Sequence, residues 1–151
     1  MTHAFSITQK NREILESFLN DFSIEQLNKI PNHFKNNIFW NIAHIVATQQ
    51  LLVYKLSNQT MLINEAWVNE FAKGTKPERI YTQTDIDFLK SVLFSTLLKT
   101  KEDFENQLFT TFIPYTTSQG FEIKTTPEAI HFNNFHEGIH LGIILQLKKF
   151  V

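Results

Sequence analysis

Only four glycines and four prolines interrupt 151 residues, and that scarcity constrains the fold more than any other feature. Glycine and proline break helices and supply tight turns, so a chain with so few of them makes few turns. A fold of many short strands is thereby disfavoured and long helices are expected. Four stretches carry the apolar period that such helices need. The first covers about residues 7–21, with Ile14, Leu15, Phe18, Leu19 and Phe22 at helical spacing. The second, about 34–56, is apolar on more than one face and should be central to the core. The third, about 85–108, follows Thr84 as a candidate N-cap and buries Ile86, Leu89, Val92, Leu93, Leu97, Phe104 and Leu108. The fourth, about 127–149, is opened by Thr126 as cap and Pro127 at its first position, with Glu128 at the positive end of the dipole.

The segments between them are short or punctuated. Ser23 and Gln26 have the spacing of a capping box, and Pro31 stops the brief helix they begin. Residues 57–84 connect the second and third helices through a turn at Gly74–Pro77. Residues 109–125 are long enough for a lid or a small hairpin. Four long helices in one domain, 1–151, imply an all-α four-helix bundle. Fifteen phenylalanines suggest an aromatic-rich core, and Trp40 and Trp67 read as core or pocket wall.

The last helix carries the chemistry. Within "FHEGIHLGIILQLKKF", His136 and His140 stand four apart and Glu137 follows the first. The pattern spells H-E-x-x-H, the motif of zinc metalloproteases. Those enzymes take a third ligand from downstream, whereas the 11 residues after His140 include no histidine, aspartate or glutamate. No strand pattern precedes the motif either, so a metalloprotease is disfavoured and a third ligand must lie upstream. At 100° per residue, His136 and His140 share a stripe with Ala129, Phe132, Ile143 and Leu147, the face that should point into the bundle. Neighbours at i and i+4 can reach one metal ion.

His44, in "FWNIAHIVATQQLL", is the best upstream candidate because its stripe includes Trp40 and Leu51. A single buried histidine is ordinarily just hydrogen-bonded. Three on facing helices leave costly unsatisfied nitrogens unless something binds them, and a shared cation is then an equal reading. A bis-histidine haem has no supporting pattern. His3, His33 and His131 lie near segment ends or on the far side of the last helix. Three roles are open to Glu137: catalysis through a metal-bound water, a hydrogen bond to an imidazole, or a pairing with a neighbouring helix. Gly138 and Gly142, on the opposite face, suit the close approach of another helix or of a second subunit, and a homodimer is expected from them.

The remaining composition excludes other classes. With no cysteine there is no disulfide, thiolate metal site or cysteine nucleophile. The net charge of −1 is spread without blocks of like charge, which gives no footprint for nucleic acid. No apolar run approaches the roughly 20 residues that span a bilayer, and the opening "MTHAFSITQKNRE" lacks a signal-peptide core. A cytoplasmic protein without membrane partners is expected.

Histidine after "FWNIA", the segment "WVNEFAKGT" and the terminal "HEGIHLGIILQLKK" together resemble the DinB/YfiT-like superfamily, over about Phe34 to Lys149. That resemblance implies a four-helix bundle of up-down-down-up topology with a three-histidine site for a divalent metal. One ligand lies on the second helix and two on the fourth, at positions matching His44, His136 and His140. The metal in such proteins is variously nickel, zinc or another divalent ion. Relatives include metal-dependent hydrolases, S-transferases using low-molecular-weight thiols, and a thiol-dependent isomerase. The implied function is metal-dependent hydrolysis, or thiol S-transfer on a small molecule. The alternative is a non-catalytic bundle that binds a metal or small ligand or serves as an interaction module. The family name reflects induction by DNA damage and implies no DNA binding.

Overall fold

The computed structural model describes residues 1–151. Its long helices are α1 (Thr2–Asp21), α3 (Ile38–Gln49), α5 (Gln83–Glu105) and α6 (Thr126–Leu147), with the short α2 (Ile24–Asn28) and α4 (Glu65–Glu70) between them. A two-stranded antiparallel hairpin, β1 (Tyr115–Thr116) and β2 (Glu122–Ile123), precedes α6. The 109–125 segment thus takes the hairpin alternative, and Ile123 is buried beside Leu52 and Ala129. No helix is long and apolar enough to cross a membrane.

Helix ends follow capping chemistry, and the caps correct several expected boundaries. Ser23 and Gln26 do form the capping box of α2. Helix α3 starts at Ile38 rather than 34, because the Asn37 side chain accepts the amide of Trp40 at 2.7 Å. Before it, His33 sits in the left-handed region at φ 72°. Helix α5 is capped by Thr82, two residues before Thr84. Asp85 accepts from both the backbone and the hydroxyl of Thr82, and Arg79 clamps the same carboxylate. That helix ends at Glu105 instead of 108, where Gln107 turns left-handed at φ 57°. Thr125, not Thr126, caps α6, and Pro127 falls at its second position. Thr126 instead exchanges a 2.9 Å hydroxyl hydrogen bond with Ser57 in the interior. Helix α1 begins five residues earlier than expected because Ala4 and Phe5 are buried, Phe5 edge-on against Phe104.

The expected 34–56 helix is not uniform. After Gln49 the chain runs through a π-helical turn (Gln50–Tyr54) and a 3₁₀ turn (Lys55–Ser57), and Asn58 closes it in the left-handed region. A π turn holds more residues per turn and rotates the succeeding residues relative to the α register. Leu52, Val53 and Tyr54 are thereby all buried, which accounts for the apolar run on several faces of that segment.

Helix α1 packs against α5 and α6, and α3 packs against the same two. Leu15 and Leu19 from α1, Ile42 and Val46 from α3, Leu89 and Leu93 from α5, and Ile144 and Leu147 from α6 meet in one core. At roughly 1.5–3 kcal/mol for each large apolar side chain removed from water, these contacts dominate the stability of the bundle. The phenylalanine surplus is largely elsewhere. Of the 15, only Phe5, Phe18, Phe39 and Phe71 are buried, and Phe88, Phe121, Phe135 and Phe150 are exposed.

Candidate metal centre

Helix α3 presents His44, and α6 presents His136 and His140 one turn apart. Their ring centroids lie 5.0 Å (His44–His136), 4.6 Å (His44–His140) and 4.5 Å (His136–His140) apart. One nitrogen from each lies within 4.8 Å of the other two, and no carboxylate joins the group. His44 is buried, whereas His136 and His140 are partly exposed, so the cluster lies inside the bundle but reaches its surface. His3, His33 and His131 are exposed and outside the cluster.

The surroundings orient two of the three rings. His44 Nδ1 donates to the carbonyl of Phe71 at 2.6 Å, so the lone pair lies on Nε2. The Trp40 indole lies flat on the same imidazole, centroids 4.7 Å apart and 10° from parallel. Its Nε1 donates to Thr75 Oγ1, which itself bonds the carbonyls of Glu70 and Ala72. The "WVNEFAKGT" segment therefore acts as a brace beside His44. His140 Nδ1 lies 2.8 Å from Asn41 Oδ1. Thr48 Oγ1, one turn after His44, sits 3.4 Å from His44 Nε2. His136 Nδ1 is buried without a hydrogen-bond partner.

All three imidazoles are held neutral. Burial pushes the pKa of His44 down against a smaller upward pull from the Phe71 carbonyl. For His136, burial and then the proximity of His44 push it down to about 3. For His140, burial followed by His136 and His44 pushes it down to about 2. A neutral imidazole with a free lone pair is the form that binds metals. Convergence, neutrality, a preset Nε2 on two rings and an orphaned buried nitrogen on the third all fit a divalent cation. The three histidines are positioned to bind a metal ion.

Of the roles open to Glu137, the structure shows the pairing with a neighbouring helix. Its side chain is fully buried and paired with Arg12 of α1, which is equally buried. Glu137 Oε1 accepts from Arg12 Nη2 at 2.8 Å, Arg12 Nε at 3.1 Å and Asn133 Nδ2 at 2.9 Å. Arg12 also donates to the Leu93 carbonyl on α5 and to Gln49 Oε1 on α3. One guanidinium thus ties its own helix to the other three long helices. Arg12 escaped the sequence reading, although it shares a stripe with Leu15 and Leu19. Asn41 and Thr48 were missed too, although both lie within one turn of His44.

The structure is thus a helical bundle in which three histidines converge from two of its long helices. The chain belongs to the DinB superfamily, whose family model matches residues 7–144. Among solved structures it is similar to a conserved protein from Enterococcus faecalis, with a TM-score of 0.68 over 99% of this chain and 95% of that one. At 13% identity that likeness shows the fold alone. No curated protein matches the chain.

Proposed function

We propose that this protein binds a divalent metal, zinc or nickel, through His44, His136 and His140 and acts as an enzyme on a small molecule. The observation that carries the reading is the convergence of three neutral imidazoles with no fourth histidine or carboxylate among them. Structural sites are usually closed by four protein ligands, whereas catalytic sites keep a position open. A divalent ion bound there supplies Lewis acidity, lowering the pKa of water or of a thiol toward neutral. Hydrolysis and thiol S-transfer both require that open position, and membership of the superfamily is compatible with either.

The chain's own residues set the conditions. Burial keeps the imidazoles unprotonated at neutral pH, so protons do not compete for the ligand positions. The Trp40 face and the Phe71 carbonyl fix His44. The partial exposure of His136 and His140 supplies the side from which a substrate approaches. Glu137 has no part in this proposal, since it is not among the converging groups and its Oε1 is held by Arg12 and Asn133.

Elemental analysis of purified protein tests the reading. About one zinc or nickel per chain is expected, and His44→Ala, His136→Ala and His140→Ala should each abolish it. Unchanged metal content in folded variants would refute the site. Assay of the metal-loaded protein with activated esters, and with small thiols plus an electrophile, separates the two reactions. Inertness toward both would favour a non-catalytic metal-binding bundle.

We also propose that the protein pairs with a second copy through the outward face of α6. Nothing lies within 4 Å of where a Cβ would project from Gly138 or Gly142, so packing within the bundle does not explain these glycines. Phe135, Ile139 and Leu145 are exposed along the same helix.

A further inference from the structure

We propose that Asn41 is a positioning residue that presets His140 to offer Nε2 to the metal, and that a relay of asparagines holds it in that role. The inference rests on the proposed metal site and concerns residues that the histidine pattern does not reveal.

The relay starts away from the site. Asn28, at the end of α2, donates through Nδ2 to the carbonyls of Ile24 and Tyr81, and its Oδ1 accepts the amide of Tyr81 at 2.7 Å. The carbonyl of Asn28 accepts from Asn37 Nδ2 at 3.1 Å. Asn37 Oδ1 accepts the amide of Trp40. The carbonyl of Asn37 accepts from Asn41 Nδ2 at 2.7 Å. Asn41 Oδ1 then faces His140 Nδ1 at 2.8 Å. Asn37 and Asn41 are buried.

An amide side chain alone does not reveal which end is oxygen, but its neighbours here do. The Trp40 amide only donates, so it requires Asn37 Oδ1. The Asn28 carbonyl only accepts, so it requires Asn37 Nδ2. The Asn37 carbonyl likewise requires Asn41 Nδ2, because a flipped Asn41 would set two oxygens against each other. Only Oδ1 then remains to face His140, so His140 Nδ1 carries the proton and its Nε2 holds the lone pair. The Phe71 carbonyl imposes the same tautomer on His44 independently. Partners of this kind fix the ring and raise the basicity of the ligating nitrogen, and losing one typically costs about 10–100-fold in metal affinity.

Two measurements test this. The first uses the metal-free wild type: long-range proton–nitrogen NMR of the imidazoles should show His140 protonated at Nδ1. An Nε2-protonated His140 would overturn the proposal. That readout needs neither metal nor a variant, so it stands even if the metal-site reading fails. The second is competitive titration with zinc(II) and nickel(II) ions on variants shown to be folded by circular dichroism. Asn41→Leu, which removes the acceptor, should weaken binding by about 10–100-fold and release the fixed His140 tautomer. Asn41→Asp keeps an acceptor for His140 but loses the donor to Asn37, so it should melt lower while binding close to wild type. A purely structural Asn41 predicts the opposite, with affinity following stability in both variants. Wild-type affinity in folded Asn41→Leu also overturns the assignment. A wild type that binds neither ion refutes the metal site and leaves the NMR result to decide the orienting role.

Discussion

The interior of this bundle contains two polar centres built from adjacent residues of one helix, and they are completed in opposite ways. Glu137 Oε1 is held by Arg12 and Asn133, and Arg12 by Gln49 and the Leu93 carbonyl, while Glu137 Oε2 is buried without a partner. His136, its neighbour in the chain, turns to His44 and His140 and finds only other neutral imidazoles, with its Nδ1 unpaired. The charge pair has its opposite charge inside the protein. The histidines have lone pairs, and the one internal donor near them is the Thr48 hydroxyl, a long 3.4 Å from His44 Nε2. Charge is therefore balanced inside the protein at one centre, and lone pairs are left for a ligand at the other.

The largest effect should come from breaking the self-completed centre. Glu137→Leu leaves the Arg12 guanidinium buried and unpaired. It should lower unfolding stability by about 3–5 kcal/mol in urea titration. The double variant Arg12→Met with Glu137→Leu should recover most of that loss, because an apolar pair leaves no charge stranded. If the double variant is no more stable than Glu137→Leu, the stranded charge is not the cause.

The histidine centre should respond to metal rather than to truncation. A saturating ion present at a hundred times its dissociation constant should raise stability by about 2.7 kcal/mol, visible as a metal-dependent shift in thermal melting. In His140→Ala that shift should vanish, while the metal-free melt changes less than in Glu137→Leu. A shift that persists in His140→Ala would remove the contrast between the centres.

Acid should act more gradually on the histidine side. The pKa of His136 falls to about 3 and that of His140 to about 2, chiefly through burial. An unfolded histidine titrates near 6.5. As pH drops below about 6.5 the unfolded chain takes up protons that the folded chain refuses, so metal-free stability declines from there toward about 3. Above about 6.5 this contribution is constant. Stability measured against pH should show a shallower acid slope in His140→Phe than in wild type, and an equal slope would contradict the neutral cluster.

The smallest effect on the fold is expected on the outer face of α6. Ile139→Lys should change unfolding stability by no more than about 0.5 kcal/mol, as exposed substitutions usually do. It should nevertheless convert the proposed dimer to monomer in light scattering. A monomeric wild type at high concentration would remove the association proposal.

Much of the histidine cluster could be read from the chain because its geometry is helical. His136 and His140 are neighbours in any α-helix, and His44 stood on an apolar stripe that had to face them. The four long helices were legible for the same reason, since burial repeats at helical spacing in α1, α3, α5 and α6. Their ends were not, because a cap depends on which of several adjacent polar side chains turns back. At α6 it was Thr125 and not Thr126, and at α5 it was Asp85, which reaches back to the amide and hydroxyl of Thr82.

What tertiary structure alone decided is which groups meet across helices. Arg12 looked like any helical arginine, yet it touches all three other long helices because Glu137 lies opposite. The Phe71 carbonyl that orients His44 is a backbone group, invisible to a reading of side chains. Asn41 sits 99 residues from His140. The periodicity of a helix places a residue on a face, and so determined that three histidines point inward. Hydrogen bonds form between faces, so only the packed bundle decided that His44 and His140 have partners for Nδ1 while His136 has none.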